Sequence, residues 1–126
     1  MMKSARQIGS LLSLLLAALG ATYAQSTYGT IVGKVTDPTG AVVAGASVTV
    51  TNIETNISKA VPTSGEGNYE TTHLLPGTYR VRAETPGFKV SVRDGVVVES
   101  RAVVRIDLAM EIGSTSSEIQ VIAATP

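Results

Sequence analysis

The sequence has no cysteine, no tryptophan, one phenylalanine and one histidine. Each shortage excludes something. Without cysteine there is no disulfide and no thiolate nucleophile, so the fold must stand on its packed core. A zinc site needs three or four His, Cys or carboxylate ligands converging on one point, and His73 alone does not supply them. An excess of charge of either sign is also lacking: ten basic residues balance ten acidic ones over 126 positions. No basic patch is present to draw nucleic acid or anionic lipid. The patterns Gly-x-Ser-x-Gly, Ser-x-x-Lys, the P-loop and Gly-x-Gly-x-x-Gly do not occur, which leaves nucleophilic catalysis and nucleotide binding without support. The sequence therefore reads as having no catalytic residue, no cofactor and no metal.

Long hydrophobic runs are missing as well. The longest apolar stretch, Ile8 to Leu19, is interrupted by Gly9, Ser10 and Ser13. At about 12 residues it falls short of the roughly 20 that a membrane-spanning helix needs. Lys3 and Arg6 precede it, and Ala-Thr-Tyr-Ala (21–24) follows. Basic, apolar, then small is the order of a secretory signal peptide, with cleavage expected between Ala24 and Gln25. Setting residues 1–24 aside removes Lys3 and Arg6 and leaves eight basic against ten acidic residues, a net charge of −2. One domain of about 100 residues remains, enough to bury roughly 60–70% of its unfolded surface.

That remainder is dominated by two-residue alternation. From Gly29 to Asp37, Ile31, Gly33 and Val35 share one face; Asp-Pro-Thr-Gly (37–40) then reads as a turn. From Ala46 to Ile53, Ala46, Val48, Val50 and Asn52 oppose Ser47, Thr49 and Thr51, and β-branched residues suit a pleated, half-buried surface. Ile57 to Thr63 is a weaker strand, placed at a sheet edge by Pro62. Ser64 to Asn68 is a tight turn, and Tyr69 to Thr72 a short strand. Leu74-Leu75 precedes the turn at Pro76-Gly77. From Thr78 to Glu84, Tyr79, Val81 and Ala83 alternate with Arg80, Arg82 and Glu84. Val90 to Val98 contains Asp94-Gly95, a signal for a hairpin or a bulge. Arg101 to Met110 reads as one strand with Ala102, Val104, Ile106 and Leu108 inward and Arg105 and Asp107 outward. Residues 113–126 read as a polar linker and a short terminal strand. About seven short strands with turns between them, and no helical repeat, indicate an all-β, antiparallel Greek-key β-sandwich preceded by a signal peptide. Tyr69, Tyr79, Phe88 and Leu74 are expected to supply its large apolar area.

Three stretches, GTIVGKVTDPTGAVVAGASVTVTN (29–52), GEGNYETTHLLPGTYRVRAETPGFKV (65–90) and SSEIQVIAATP (116–126), resemble the carboxypeptidase regulatory-like domain, a small transthyretin (prealbumin)-like sandwich. The resemblance covers nearly all of residues 28–126, with the sandwich itself at 28–112. It is closest to the version at the N-terminus of TonB-dependent outer-membrane receptors, where a plug and a barrel follow; Glu118 to Ala123 resembles the lead-in to the plug. A fragment, a truncated receptor product and a free-standing module all fit these 126 residues, and transport by this chain alone is not expected. Thr71 stands where the family often has a core aromatic and Leu75 where it often has proline, which implies a slightly less filled core. In carboxypeptidases this module lies beside the catalytic domain and cleaves nothing.

The resemblance implies a non-catalytic, exported module located in the periplasm or at the outer membrane. Its expected partners are the plug and barrel of a receptor or other envelope proteins. A carbohydrate-binding module is the alternative, because related sandwiches bind sugars; that role wants exposed aromatic platforms, and Tyr28, at the start of the domain, is a poor one. A Lys–Asn or Lys–Asp isopeptide crosslink, as in adhesin-type sandwiches, requires both partners in the core. The alternation turns Lys34 and Asp107 outward. His73, beside Leu74, reads as a surface or capping residue.

Overall fold

Alternation of β-branched and polar residues decides which face of each strand is dry. The computed structural model describes residues 27–113, the backbone of Ile119–Ala123 and, before them, only Gly9 and Ser13. The described residues form nine strands: β1 (Gly29–Thr36), β2 (Ser47–Asn52), β3 (Ser58–Pro62), β4 (Asn68–Leu74), β5 (Gly77–Glu84), β6 (Val90–Val98), β7 (Val103–Arg105), β8 (Leu108–Ala109) and β9 (Ile119–Ala123). One sheet runs β4-β1, with β7 and then β8 along the far side of β1; the other runs β3-β2-β5-β6-β9. Their facing sides enclose a core that includes Ile31, Val35, Val48, Val50, Tyr69, Leu74, Tyr79, Val81, Leu108 and Met110. The β-sandwich and the inward faces read from the sequence for β1, β2 and β5 are those observed. Phe88 is half-buried against the cluster rather than within it.

Local chemistry sets the turns. The Asp37 carboxylate accepts from the Thr39 hydroxyl (2.7 Å) and from the backbone amides of Thr39 and Ala41. The Thr39 hydroxyl above all, with the amides, holds that carboxyl below the usual carboxylate range. β3 is an edge strand, as Pro62 implied.

Two features differ from the sequence reading, and a third selects between alternatives it left open. The pairs β1–β4, β2–β3, β2–β5 and β5–β6 are antiparallel, whereas β7 and β8 run parallel to β1 and β9 runs parallel to β6. The stretch Arg101–Met110 is not one strand. It keeps its parity, with Ile106, Leu108 and Met110 buried, but breaks at Ile106–Asp107. There the Asp107 carboxylate accepts from the Lys34 amide (2.9 Å) in place of a backbone carbonyl. The Ile106 carbonyl turns over Gly33 instead, lying 1.8 Å from where a Cβ on Gly33 would sit. Finally, of the hairpin and the bulge that Asp94-Gly95 allows, the structure has the bulge, inside β6. Arg80 alone faces both residues, the Arg80 guanidinium pairs with the Asp94 carboxylate, and Gly95 takes a φ of 69°.

The bulge changes which side chains of β6 point inward. Residues opposite each other in an antiparallel pair share a face. Ser91 and Arg93 oppose Ala83 and Val81 and so face the core; beyond the bulge Val96 opposes Tyr79 and does the same. Ser91 Oγ and Arg93 Nε are buried with no hydrogen-bond partner among the described residues.

Candidate ligand cleft

At one end of the sandwich the free edges of the two sheets, β3 and β4, come together around a cleft of about 230 Å³. Its floor is apolar: Val50, Leu74 and Tyr79 belong to the core. Ile57, Leu75 and Tyr28 line it and remain exposed.

Two local distortions build the mouth. The first is in β4. Between the pairs Gly29–Leu74 and Ile31–Thr71 the register shifts, so Thr72 and His73 share the space opposite Thr30. His73 takes a φ of 57°, in the left-handed region that few side chains favour. This conformation brings the His73 ring against Tyr28, with centroids 5.5 Å apart and planes tilted by 58°. A tilted pair at that spacing suits the charge distribution of the two rings. The Thr72 hydroxyl lies 3.0 Å from His73 Nδ1. The second distortion is the Asx-type turn after β2. There Asn52 Oδ1 accepts from the amides of Glu54 (2.9 Å) and Thr55 (3.1 Å) and shapes the wall carrying Thr55 and Ile57.

Lys59 joins the sheets. It lies opposite Val50, so its side chain leaves the core face of edge strand β3. Its ammonium donates to the carbonyls of Thr72 and His73, both at 3.0 Å. An inward-pointing lysine on an edge strand also discourages pairing with another chain. Opposite the mouth, the Tyr79 hydroxyl donates to the Leu75 carbonyl at 2.6 Å.

A second polar cluster lies at the break between β7 and β8. The Tyr69 phenol donates to the Ile106 carbonyl. Burial raises the phenol well above its ordinary value, and the Asp107 carboxylate adds to that. Asp107 also pairs with Arg105 (3.2 Å).

The residues singled out in the sequence are distributed as follows. Ala24 and Gln25, the cleavage pair, lie outside the described residues. Lys34 is half-buried and Asp107 exposed, so they do not meet in the core as a crosslink would require. His73 is exposed and lies on β4 at the cleft mouth. Among the described residues no group of three or more His, Cys, Asp or Glu is placed to hold a metal. Tyr28 is better placed than its position at the domain start suggested, because the β4 bulge brings a second ring to it. The sequence signal for Lys59 is that it shares the parity, and so the face, of Val61 in a strand that Pro62 makes an edge.

The family model for the carboxypeptidase regulatory-like domain matches residues 30–111, about two thirds of the sequence. The protein belongs to this family. No curated protein matches the sequence. Among solved structures, this carboxypeptidase regulatory-like domain is similar to the TIE protein of Bacillus anthracis, with a TM-score of 0.56 and 23% identity, covering 68% of this chain and 17% of that one. It is similar to a candidate carbohydrate binding protein of Bacteroides uniformis (TM-score 0.55, 23% identity, 68% of this chain and 42% of that one). It is also similar to GBS52, the minor pilin of Streptococcus agalactiae (TM-score 0.56, 13% identity, 74% of this chain and 48% of that one). The domain spans less than half the length of each of these three proteins, and at such identities the likeness is one of fold.

Proposed function

We propose that the protein is a non-catalytic interaction module of the cell envelope, exported by residues 1–24. In this reading it serves as the accessory N-terminal domain of a TonB-dependent outer-membrane receptor, or is a relic of one, with the plug and barrel or other envelope proteins as partners. The observation that carries the reading is a carboxypeptidase regulatory-like sandwich directly behind a basic–apolar–small leader pattern. The test is expression with the native leader in a Gram-negative host, followed by fractionation and N-terminal sequencing. A periplasmic or outer-membrane form beginning at or near Gln25 is expected. An intact Met1 form held in the inner membrane, or cytoplasmic protein, overturns the export on which the reading depends.

Carbohydrate binding is the second reading. It is favoured by the exposed Tyr28–His73 ring pair and by the fold shared with the Bacteroides uniformis protein. Saturation-transfer NMR with neutral oligosaccharides tests it: magnetisation should pass to the sugars from Tyr28 and His73, and transfer that survives Tyr28→Ala unchanged removes the platform.

A further inference from the structure

We propose that the cleft between β3 and β4 binds a small apolar carboxylate: one aromatic ring or branched aliphatic group with a carboxylate a few bonds away. Three features of the cleft define this ligand class.

The first is size. The cleft holds about 230 Å³. Sites for drug-sized ligands begin at roughly 300 Å³, so this one takes a single ring or its equivalent. The second is the wall. Val50, Ile57, Leu74, Leu75 and Tyr79 present carbon to the ligand, which suits an apolar body better than a sugar ring that carries hydroxyls on all sides.

The third is the unequal supply of donors and acceptors. Several acceptors around the cleft are already engaged. The Thr72 and His73 carbonyls hold Lys59, the Leu75 carbonyl holds Tyr79, and Asn52 Oδ1 holds two amides. Lysine has three N–H donors and no acceptor, and the two carbonyls use two of them. The third donor is left on an ammonium whose position those carbonyls already fix. Among the described residues no Asp or Glu lines the cleft, so the one formal charge on its wall is positive. A carboxylate placed at Lys59 gains a charge-assisted hydrogen bond while its apolar part rests on Leu74 and Tyr79 behind the Tyr28–His73 pair.

This inference concerns the cleft alone and does not depend on export or on a receptor partner. Free acids and the C-terminal residue of a peptide share the chemistry; the test separates them from acidic sugars. The purified protein is titrated with 3-phenylpropionate, its neutral amide, the peptide acid acetyl-Gly-Phe and glucuronate, with binding followed by two-dimensional NMR. Phenylpropionate should shift the signals of Tyr28, Leu74 and His73. The amide should bind about tenfold more weakly, the effect of losing one charge-assisted hydrogen bond. Peptide acid binding at least as tightly as phenylpropionate would identify a peptide terminus as the source; weaker binding would identify a free acid. Lys59→Gln should abolish the preference for acid over amide and Lys59→Arg should restore it, with urea midpoints confirming that both variants fold. Tyr28→Ala, at an exposed position, should weaken acid and amide alike. Equal binding of acid and amide to the parent protein, tighter binding of glucuronate, or no shift at these residues up to about 10 mM ligand overturns the proposal.

Discussion

The phenol of Tyr69 donates to the carbonyl of Ile106 across the backbone of Gly33. Three parts of the sheet meet at this contact: β4 supplies the ring, β1 the glycine, and the segment between β7 and β8 the carbonyl. A carbonyl turned out of a sheet ladder must find another donor, because a buried unpaired one is costly. Tyr69 supplies that donor, and the missing side chain at Gly33 makes the room.

Tyr69→Phe removes the hydroxyl and leaves the Ile106 carbonyl without it. The expected loss is about 1–3 kcal/mol in urea unfolding near neutral pH. The parent should also lose stability in alkali. The folded-state phenol titrates above its unfolded value of about 10, so its contribution is complete below that pH and declines as pH rises beyond it. Chemical melts from about pH 8 to 11 on parent and variant check the sign: the gap between them should narrow at the alkaline end. A gap that widens contradicts the contact.

Gly33→Ala tests the other half of the contact. Its Cβ would fall 1.8 Å from the Ile106 oxygen and 2.7 Å from the Ile106 carbonyl carbon, both backbone atoms that a rotamer change cannot move. A cost of about 3 kcal/mol or more is expected, at the upper end for overpacking. A melt within about 0.5 kcal/mol of the parent, the range of surface changes, would mean that the carbonyl does not lie there.

Thr71→Val should raise stability by about 1 kcal/mol or more. Thr71 is 2% exposed and its hydroxyl has no hydrogen-bond partner among the described residues. An isosteric methyl therefore removes an orphaned polar group without opening a cavity. Differential scanning calorimetry measures the change, and a lower melting temperature would show that the hydroxyl is satisfied.

Tyr79 and Arg80 test the parity of β5. Tyr79→Ala removes a ring that is 4% exposed and should cost about 3–5 kcal/mol. Arg80→Ala breaks only a surface pair with Asp94 and should leave the urea midpoint close to the parent's. Urea melts of both variants against the parent decide the matter; equal midpoints would place the strand on the wrong register.

That parity was legible because a two-residue period needs only local information. Ile31 and Val35, Val48 and Val50, and Tyr79 and Val81 declared their faces through their immediate neighbours. What was not legible depended on residues far apart in the sequence. The break at Ile106–Asp107 arises because Asp107 reaches an amide 73 positions away, and nothing in Val-Arg-Ile-Asp-Leu announces that. Asp94-Gly95 fitted a hairpin or a bulge equally well, since only the partner strand distinguishes them. The cleft was hidden for the same reason. Tyr28 becomes part of it through a register shift in β4, and Lys59 through the carbonyls that the shift presents.

Lys59→Val should make the protein self-associate. The change removes the charge from the core face of an edge strand, frees the Thr72 and His73 carbonyls, and leaves Ala60 and two valines, at 59 and 61, in sequence. Light scattering after size exclusion should show concentration-dependent oligomers that the parent lacks. A variant that stays monomeric at every concentration would show that Lys59 does not guard this edge.

The extra residue at Asp94-Gly95 also bears on how sequences of this domain can change in length. It puts the two ends of β6 out of phase, so the strand has a different inward set on either side. Losing Gly95 would leave Asp94 alone opposite Arg80 and Val96 still opposite Tyr79, so β6 would become a regular strand with Val96 and Val98 still on the core side. Elsewhere in β6 a single-residue insertion or deletion turns every later side chain to the other face, whereas the bulge can give up its extra residue and keep the phase. Length variation among related domains should accumulate in the connection 53–57 and, within β6, be confined to Asp94-Gly95.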